Sequence, residues 1–242
     1  GKRASKMVFL CALTGFIYGM SKHNDLIQAT LASAGNELRL GGNEAPPSII
    51  SVYLGEELQQ ILGNMEKFVN EKDKKSEEYQ FESFVPPIKQ DRSDRNRTSP
   101  IAFTGNKFEF RMPGSSASIA FPISIINLAV SDGMSHVLER IEHISNNQEI
   151  LKILDAIISE NAGIIYEGDN YRQEWQTEAR ERGLFIPESV PDTISVFKKQ
   201  KTIDLIEKYK FLTREEIEAR TDIKIEMYVK SIEMELRVAR LM

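Results

Sequence analysis

IAFTGNKFEFRM, residues 101–112, is the stretch whose reading decides the fold. From Lys107 onward polar and apolar side chains alternate, so Lys107, Glu109 and Arg111 fall to one face of a strand and Phe108, Phe110 and Met112 to the other. Gly105-Asn106 separates this run from Ile101 to Thr104 by the short glycine-containing spacing of a β-hairpin. An antiparallel pair with one core face and one charged face, set among helical segments, predicts an α+β architecture.

Working outward, the flanking sequence is mostly helical in pattern. Ahead of the hairpin, Met7 to Met20 and Asp25 to Ala34 read as two helices, with Asn24 or Asp25 placed to cap the second. The apolar positions Ile49, Ile50, Tyr53, Leu54, Leu58, Ile61, Leu62, Met65 and Phe68 predict a long amphipathic helix from Ser48 to about Val69. Residues 70–100 are charge-dense and read as an exposed connection ending in a basic cluster. Beyond the hairpin, Pro122 opens a helix through about Ile144, and Ser145 with Gln148 forms a capping box ahead of Glu149 to Ser159. A helix from Arg172 to Arg182 closes at Gly183, with Trp175 and Tyr171 as packing anchors. Thr213 and Glu216 cap a last helix that runs to the end of the chain.

Composition narrows the partners. The chain has 242 residues, 41% hydrophobic and 28% charged, enough for one large core. A formal charge of -5 leaves no global basic footprint for nucleic acid or for an anionic membrane. The single cysteine, Cys11, excludes an intrachain disulfide and suits a reducing, cytoplasmic compartment. The apolar run Met7 to Met20 follows basic residues as a signal peptide would, but it holds two glycines and is short for a bilayer span, so a buried helix is the reading. An opening on Gly1 directly into a helical run leads to the expectation that the natural chain begins further upstream.

The chemistry-bearing residues cluster around the hairpin. An arginine-dense turn, Asp94 to Thr98, opposite a strand bearing Lys107 and Arg111 has the makings of a clamp for phosphate or carboxylate oxygens. Glu109, set between two cations, suits a hard-cation ligand shared with nucleotide phosphates. The same alternation also fits an ordinary solvated strand face with ion pairs. Arg39 to Pro47, RLGGNEAPP, combines two glycines and two prolines around Glu44, which such a loop can present as a base or cation-binding group, or simply as surface charge. His136 and His143 lie seven apart with no third ligand type beside them and read as surface residues. No nucleophile triad, P-loop or dinucleotide glycine motif has its required context. The residues by themselves lead to an anion site of open substrate.

Three segments then resemble a known family. ASAGNELRLGGNEAPPSIISVYLG (residues 32–55), DRNRTSPIAFTGNKFEFRMPGSS (94–116) and YEGDNYRQEWQTEARERGL (166–184) resemble type III glutamine synthetase in order and spacing, and the likeness extends more loosely through KTIDLIEKYKFLTREEIEAR. The resemblance implies residues 1–184 as the C-terminal portion of the catalytic domain, with part of an antiparallel sheet, and 185–242 as a helical C-terminal region. It implies a glutamate–ammonia ligase that forms γ-glutamyl phosphate from ATP, with Mg2+ or Mn2+ gathering charge on the transferring group. In that frame Glu44 helps bind and deprotonate ammonium, Arg39 and Arg111 hold glutamate, Arg97 and Lys107 face the phosphates, and Glu109 is a metal ligand. The spacing from Arg39 to Glu44 is one residue shorter than in the type I pattern, and one further phosphate-facing arginine of that pattern has no counterpart. The family's N-terminal β-grasp domain, its other metal-binding glutamates and a histidine-bearing motif are not among these residues. The expectation is therefore that this chain alone does not catalyse and exposes surface that aggregates, while the full-length protein assembles as a ring-shaped dodecamer. A related γ-glutamyl–amine ligase and a non-catalytic assembly module are the alternatives.

Overall fold

The computed structural model describes residues 2–35, 49–70, 78–79, 88–89, 98–113, 117–187 and 189–241. The helix pair α1 (Lys2–Lys22) and α5 (Ala120–Ile141) forms its spine. Buried Leu10, Leu13, Thr14, Ile17 and Met20 recur along α1 at helical spacing and face α5 and its neighbours. The glycines of the apolar run have a structural use: a Cβ on Gly133 would stand 1.9 Å from Gly15 O, and one on Gly19 would stand 2.2 Å from Ala129 O. The two backbones touch, which only residues without side chains permit. Residues 4–22 are long and apolar enough to cross a membrane by length and composition, yet they pack here as a core helix, as the sequence reading expected.

Between the spine helices lie α2 (Asn24–Thr30), β1 (Val52–Tyr53), α3 (Gly55–Gly63), α4 (Met65–Asn70), β2 (Glu78–Tyr79), β3 (Ile88–Lys89), β4 (Ile101–Phe103) and β5 (Phe108–Phe110). The expected hairpin forms: β4 and β5 are antiparallel with Ala102 opposite Glu109, and Gly105 at φ +90° makes the turn closed by Thr104 N–H donating to Lys107 O at 2.9 Å. The sheet is mixed, because β1 joins β4 in parallel on its other side. Phe108 stacks on Phe16 of α1 at 3.9 Å, so the apolar face of the hairpin lies on the spine.

Two expectations about residues 24–69 are corrected here, and one segment gains a detail. The single helix predicted from Ser48 to Val69 is a strand followed by α3 and α4. Ile49, Ile50, Val52, Tyr53 and Leu54 are all buried, as in a strand covered on both faces, and tertiary bonds from Ile101 N–H to Ser51 O and from Tyr166 N–H to Val52 O outweigh the helical period. The charged connection contains the antiparallel pair β2–β3, with Glu78 opposite Lys89. Asn24 and Asp25 do not cap α2: Asn24 Oδ1 accepts from Phe185 N–H at 3.1 Å, and Asp25 is taken up by two lysines.

Past α5 come α6 (Asn147–Glu160), α7 (Gln173–Glu181), α8 (Val190–Ser195), α9 (Gln200–Lys208) and α10 (Arg214–Leu241). The cap of α6 is Asn146 rather than Ser145, its Oδ1 accepting from Gln148 N–H at 2.9 Å. The Thr213–Glu216 box is present in both directions, at 2.8 and 3.2 Å. Trp175 is an anchor, stacked at 3.5 Å on Tyr166, whereas Tyr171 is 56% exposed and lies outside the buried core. One continuous apolar core joins α1 and α5 to Val190, Ile194, Phe197, Ile206 and Ile217 of the C-terminal helices.

Candidate active site

The short sheet gathers segments that are far apart in the chain. Ser99 Oγ donates to Tyr166 O at 2.9 Å, and Ser99 O accepts from Arg111 Nη2 at 2.8 Å. Arg111 N–H closes on Pro100 O at 2.9 Å. Tyr166 N–H continues to Val52 O, and the next residue, Glu167, accepts from Leu54 N–H at 2.9 Å and Gly55 N–H at 3.2 Å. A carboxylate at these amides satisfies orphan donors at the start of α3 and complements its dipole. Residues 49–55, 98–113 and 166–167 are thus one hydrogen-bonded unit.

On that unit Lys107, Glu109 and Arg111 lie along one strand. Lys107 Nζ is 3.9 Å from Glu109 Oε1, with the lysine side chain 64% exposed and the glutamate 28% exposed. An exposed pair at that distance adds little to stability. Arg111 is positioned by Ser99 O, which is itself held by the backbone around Pro100 and Tyr166. Arg39, Glu44 and Arg97 lie outside the described residues. Glu109 offers one carboxylate to a hard cation, which needs several oxygen ligands. Among the described residues no group of three His, Cys, Asp or Glu side chains can hold a metal. The described residues therefore do not fit a complete metal site. His143 is 90% exposed, and His136 stacks on Tyr18 at 4.0 Å, so the two histidines make no metal pair.

Two polar centres, one half-buried and one buried, escaped the sequence reading. Asp132 on α5 accepts from Lys208 at 2.9 Å, from Tyr209 at 3.1 Å and from His23 at 2.8 Å. Burial pushes the His23 ring below its ordinary pKa, and Lys208 already balances the Asp132 charge, so near neutral pH the ring is uncharged and its Nε2–H donates. Asp25 on α2 pairs with Lys201 at 2.7 Å and Lys199 at 3.2 Å. No local pattern marks the partners of either aspartate. Glu167 did carry a signal, since it lies in the segment 166–184 whose likeness to the family was evident, but a cap more than a hundred positions from its helix in sequence has no spacing to read.

Comparison with known proteins gives the chain that carries this hydrogen-bonded unit a family. Residues 149–242 match the glutamine synthetase C-terminal domain. The chain is 38% identical over 232 residues to the type-3 glutamine synthetase of Dictyostelium discoideum, covering 94% of this chain and 32% of that protein. It is 34% identical over 241 residues to the glutamine synthetase of Bacteroides fragilis (strain YCH46), and 32% identical over 231 residues to that of Butyrivibrio fibrisolvens, covering 96% and 94% of this chain. The chain spans about a third of the length of these relatives. It belongs to the glutamine synthetase family, as a C-terminal part of a type III member.

Proposed function

We propose that the intact protein is a cytoplasmic glutamate–ammonia ligase that uses ATP and Mg2+ or Mn2+, and that this chain supplies one part of its active site. The observation that supports this most is the junction of residues 49–55, 98–113 and 166–167 beneath a strand carrying Lys107, Glu109 and Arg111. In this reading Arg111 and Arg39 hold the carboxylate groups of glutamate, with the Arg111 fork oriented by Ser99 O. Lys107 and Arg97 face the phosphates of ATP. Glu44 binds the incoming ammonium and takes its proton. Glu109 contributes one ligand to the divalent metal, which when bound gathers phosphate charge; the remaining ligands come from outside the described residues. The division into a catalytic portion, 1–184, and a helical region, 185–242, belongs to the same proposal, as does a ring-shaped dodecamer.

The test is phosphate release by the intact protein with glutamate, ATP and ammonia supplied together or one at a time. Release requires all three, and Glu109→Gln, which keeps the side chain's shape, lowers kcat/KM by about 100-fold and raises the metal requirement. Release driven by another amine in place of ammonia would assign a different γ-glutamyl ligase. No release from a folded, metal-loaded protein would remove the enzymatic reading.

A further inference from the structure

A cavity of about 580 Å3 opens where the C-terminal end of α2 meets the start of α5 and the first half of α10. Its wall is largely apolar, with Leu31, Phe121, Phe197, Ile217 and Met227 among its lining. Among its described lining residues two carry charge, Arg220 and Lys224, and none is Asp or Glu. In a chain of net charge -5 this is a local reversal of sign. Arg220 and Lys224 stand four apart on α10, a spacing at which like charges repel and weaken a helix. Lys224 Nζ donates to Ala32 O at 3.4 Å and sits 6.0 Å from the centre of the Phe197 ring, so both of these partners are neutral. Burial lowers its pKa, the cost of an ammonium group in apolar surroundings that an anion alongside would relieve.

We infer that this cavity binds a small amphipathic monoanion, its apolar body against Phe121, Phe197 and Met227 and its carboxylate between Arg220 and Lys224. The volume lies within the range of small-molecule sites, and an apolar wall with a few convergent polar groups is their usual chemistry. The arginine supplies a planar pair of donors and the lysine a point charge, a combination suited to one carboxylate. Pro113, two residues beyond Arg111, is part of the rim, so an occupant borders the strand of the proposed active site without using its residues. The inference does not rest on the ligase reading.

The experiment is calorimetric titration of the intact protein with decanoate, and with decanol as the uncharged counterpart. One decanoate binds per chain, and decanol binds at least about tenfold more weakly. Arg220→Gln, at an exposed position, and Lys224→Met each weaken decanoate binding by about tenfold, while Lys224→Arg restores it to within about threefold. Thermal melts of the variants, unchanged within a few degrees, show that the effect is on the site. Equal affinity in the variants, several decanoates per chain, or no binding at about 1 mM would overturn the inference. So would competition by glutamate, which would assign the cavity to the substrate instead.

Discussion

Gly133 shows how a single residue sets the distance between helices. Its missing side chain lets α5 lie against the backbone of α1, where a Cβ would stand 1.9 Å from Gly15 O and 3.0 Å from Gly19 N. Relief requires the helices to separate along their whole contact, because neither obstacle is a flexible side chain. Gly133→Ala is therefore expected to destabilise by about 2 kcal/mol or more, measured as the urea midpoint at unchanged slope. Gly63, at the end of α3, has nothing within 4 Å of its would-be Cβ, and Gly63→Ala is expected to be neutral or slightly stabilising. Equal losses at the two sites would disprove the packing argument. At this scale the sequence was readable only in part. The glycines of the Met7 to Met20 run were visible as exceptions to a signal peptide, but their partners, Ala129 and Gly133, are over a hundred positions away.

Among elements, those whose ends are written locally were the legible ones. The turn at Gly105, the close of α7 before Gly183 and the Thr213–Glu216 box all form as their spacing predicts. Thr213→Ala removes the oxygen that accepts from Glu216 N–H, so about 1 kcal/mol is expected to be lost from the first turn of α10, with hydrogen exchange speeding up at its leading amides and not in its later turns. Exchange that rises uniformly along α10 would mean that the box stabilises the docking of the helix and not its end. Where an element is set by remote partners, the pattern misleads. Residues 48–54 have helical periodicity, yet Ser51 O, Val52 O and the amides of Leu54 and Gly55 bond to Ile101, Tyr166 and Glu167. Alternation in the hairpin, by contrast, was decisive for the candidate site, because a strand's period places Lys107, Glu109 and Arg111 together without knowledge of anything else.

At the scale of the molecule, two aspartates hold the C-terminal helices to the rest of the fold, Asp132 from the spine helix α5 and Asp25 from α2. Asp132 binds Lys208 and Tyr209, at and just past the end of α9, and Asp25 binds Lys199 and Lys201 at its start. Burial by itself would raise the Asp25 carboxyl, but hydrogen bonds and charge from Lys201 and Lys199 outweigh it and hold its pKa below the ordinary value. A carboxyl depressed in the folded state contributes stability above its unfolded pKa, about 3.9, and loses it as the pH falls through the lower folded value. Asp25→Asn is thus expected to cost about 1–2 kcal/mol between pH 6 and 8, and the gap in Tm from the parent should close below about pH 4. A gap independent of pH would mean that the carboxylate's shape matters and its charge does not.

By itself the sequence determined the α+β class, the hairpin and its charged face, the buried nature of the first helix and the family, because each is encoded over a few neighbouring residues or in extended likeness. The tertiary structure decided that residues 48–69 break into strand and helices, that Asn24, Asp25 and Asp132 serve contacts across the molecule, and that α10 lays two cations along an apolar cavity. Those outcomes depend on which backbone amides and charges meet after the chain has folded, and buried polar groups take the partners that satisfy them whatever their distance in sequence.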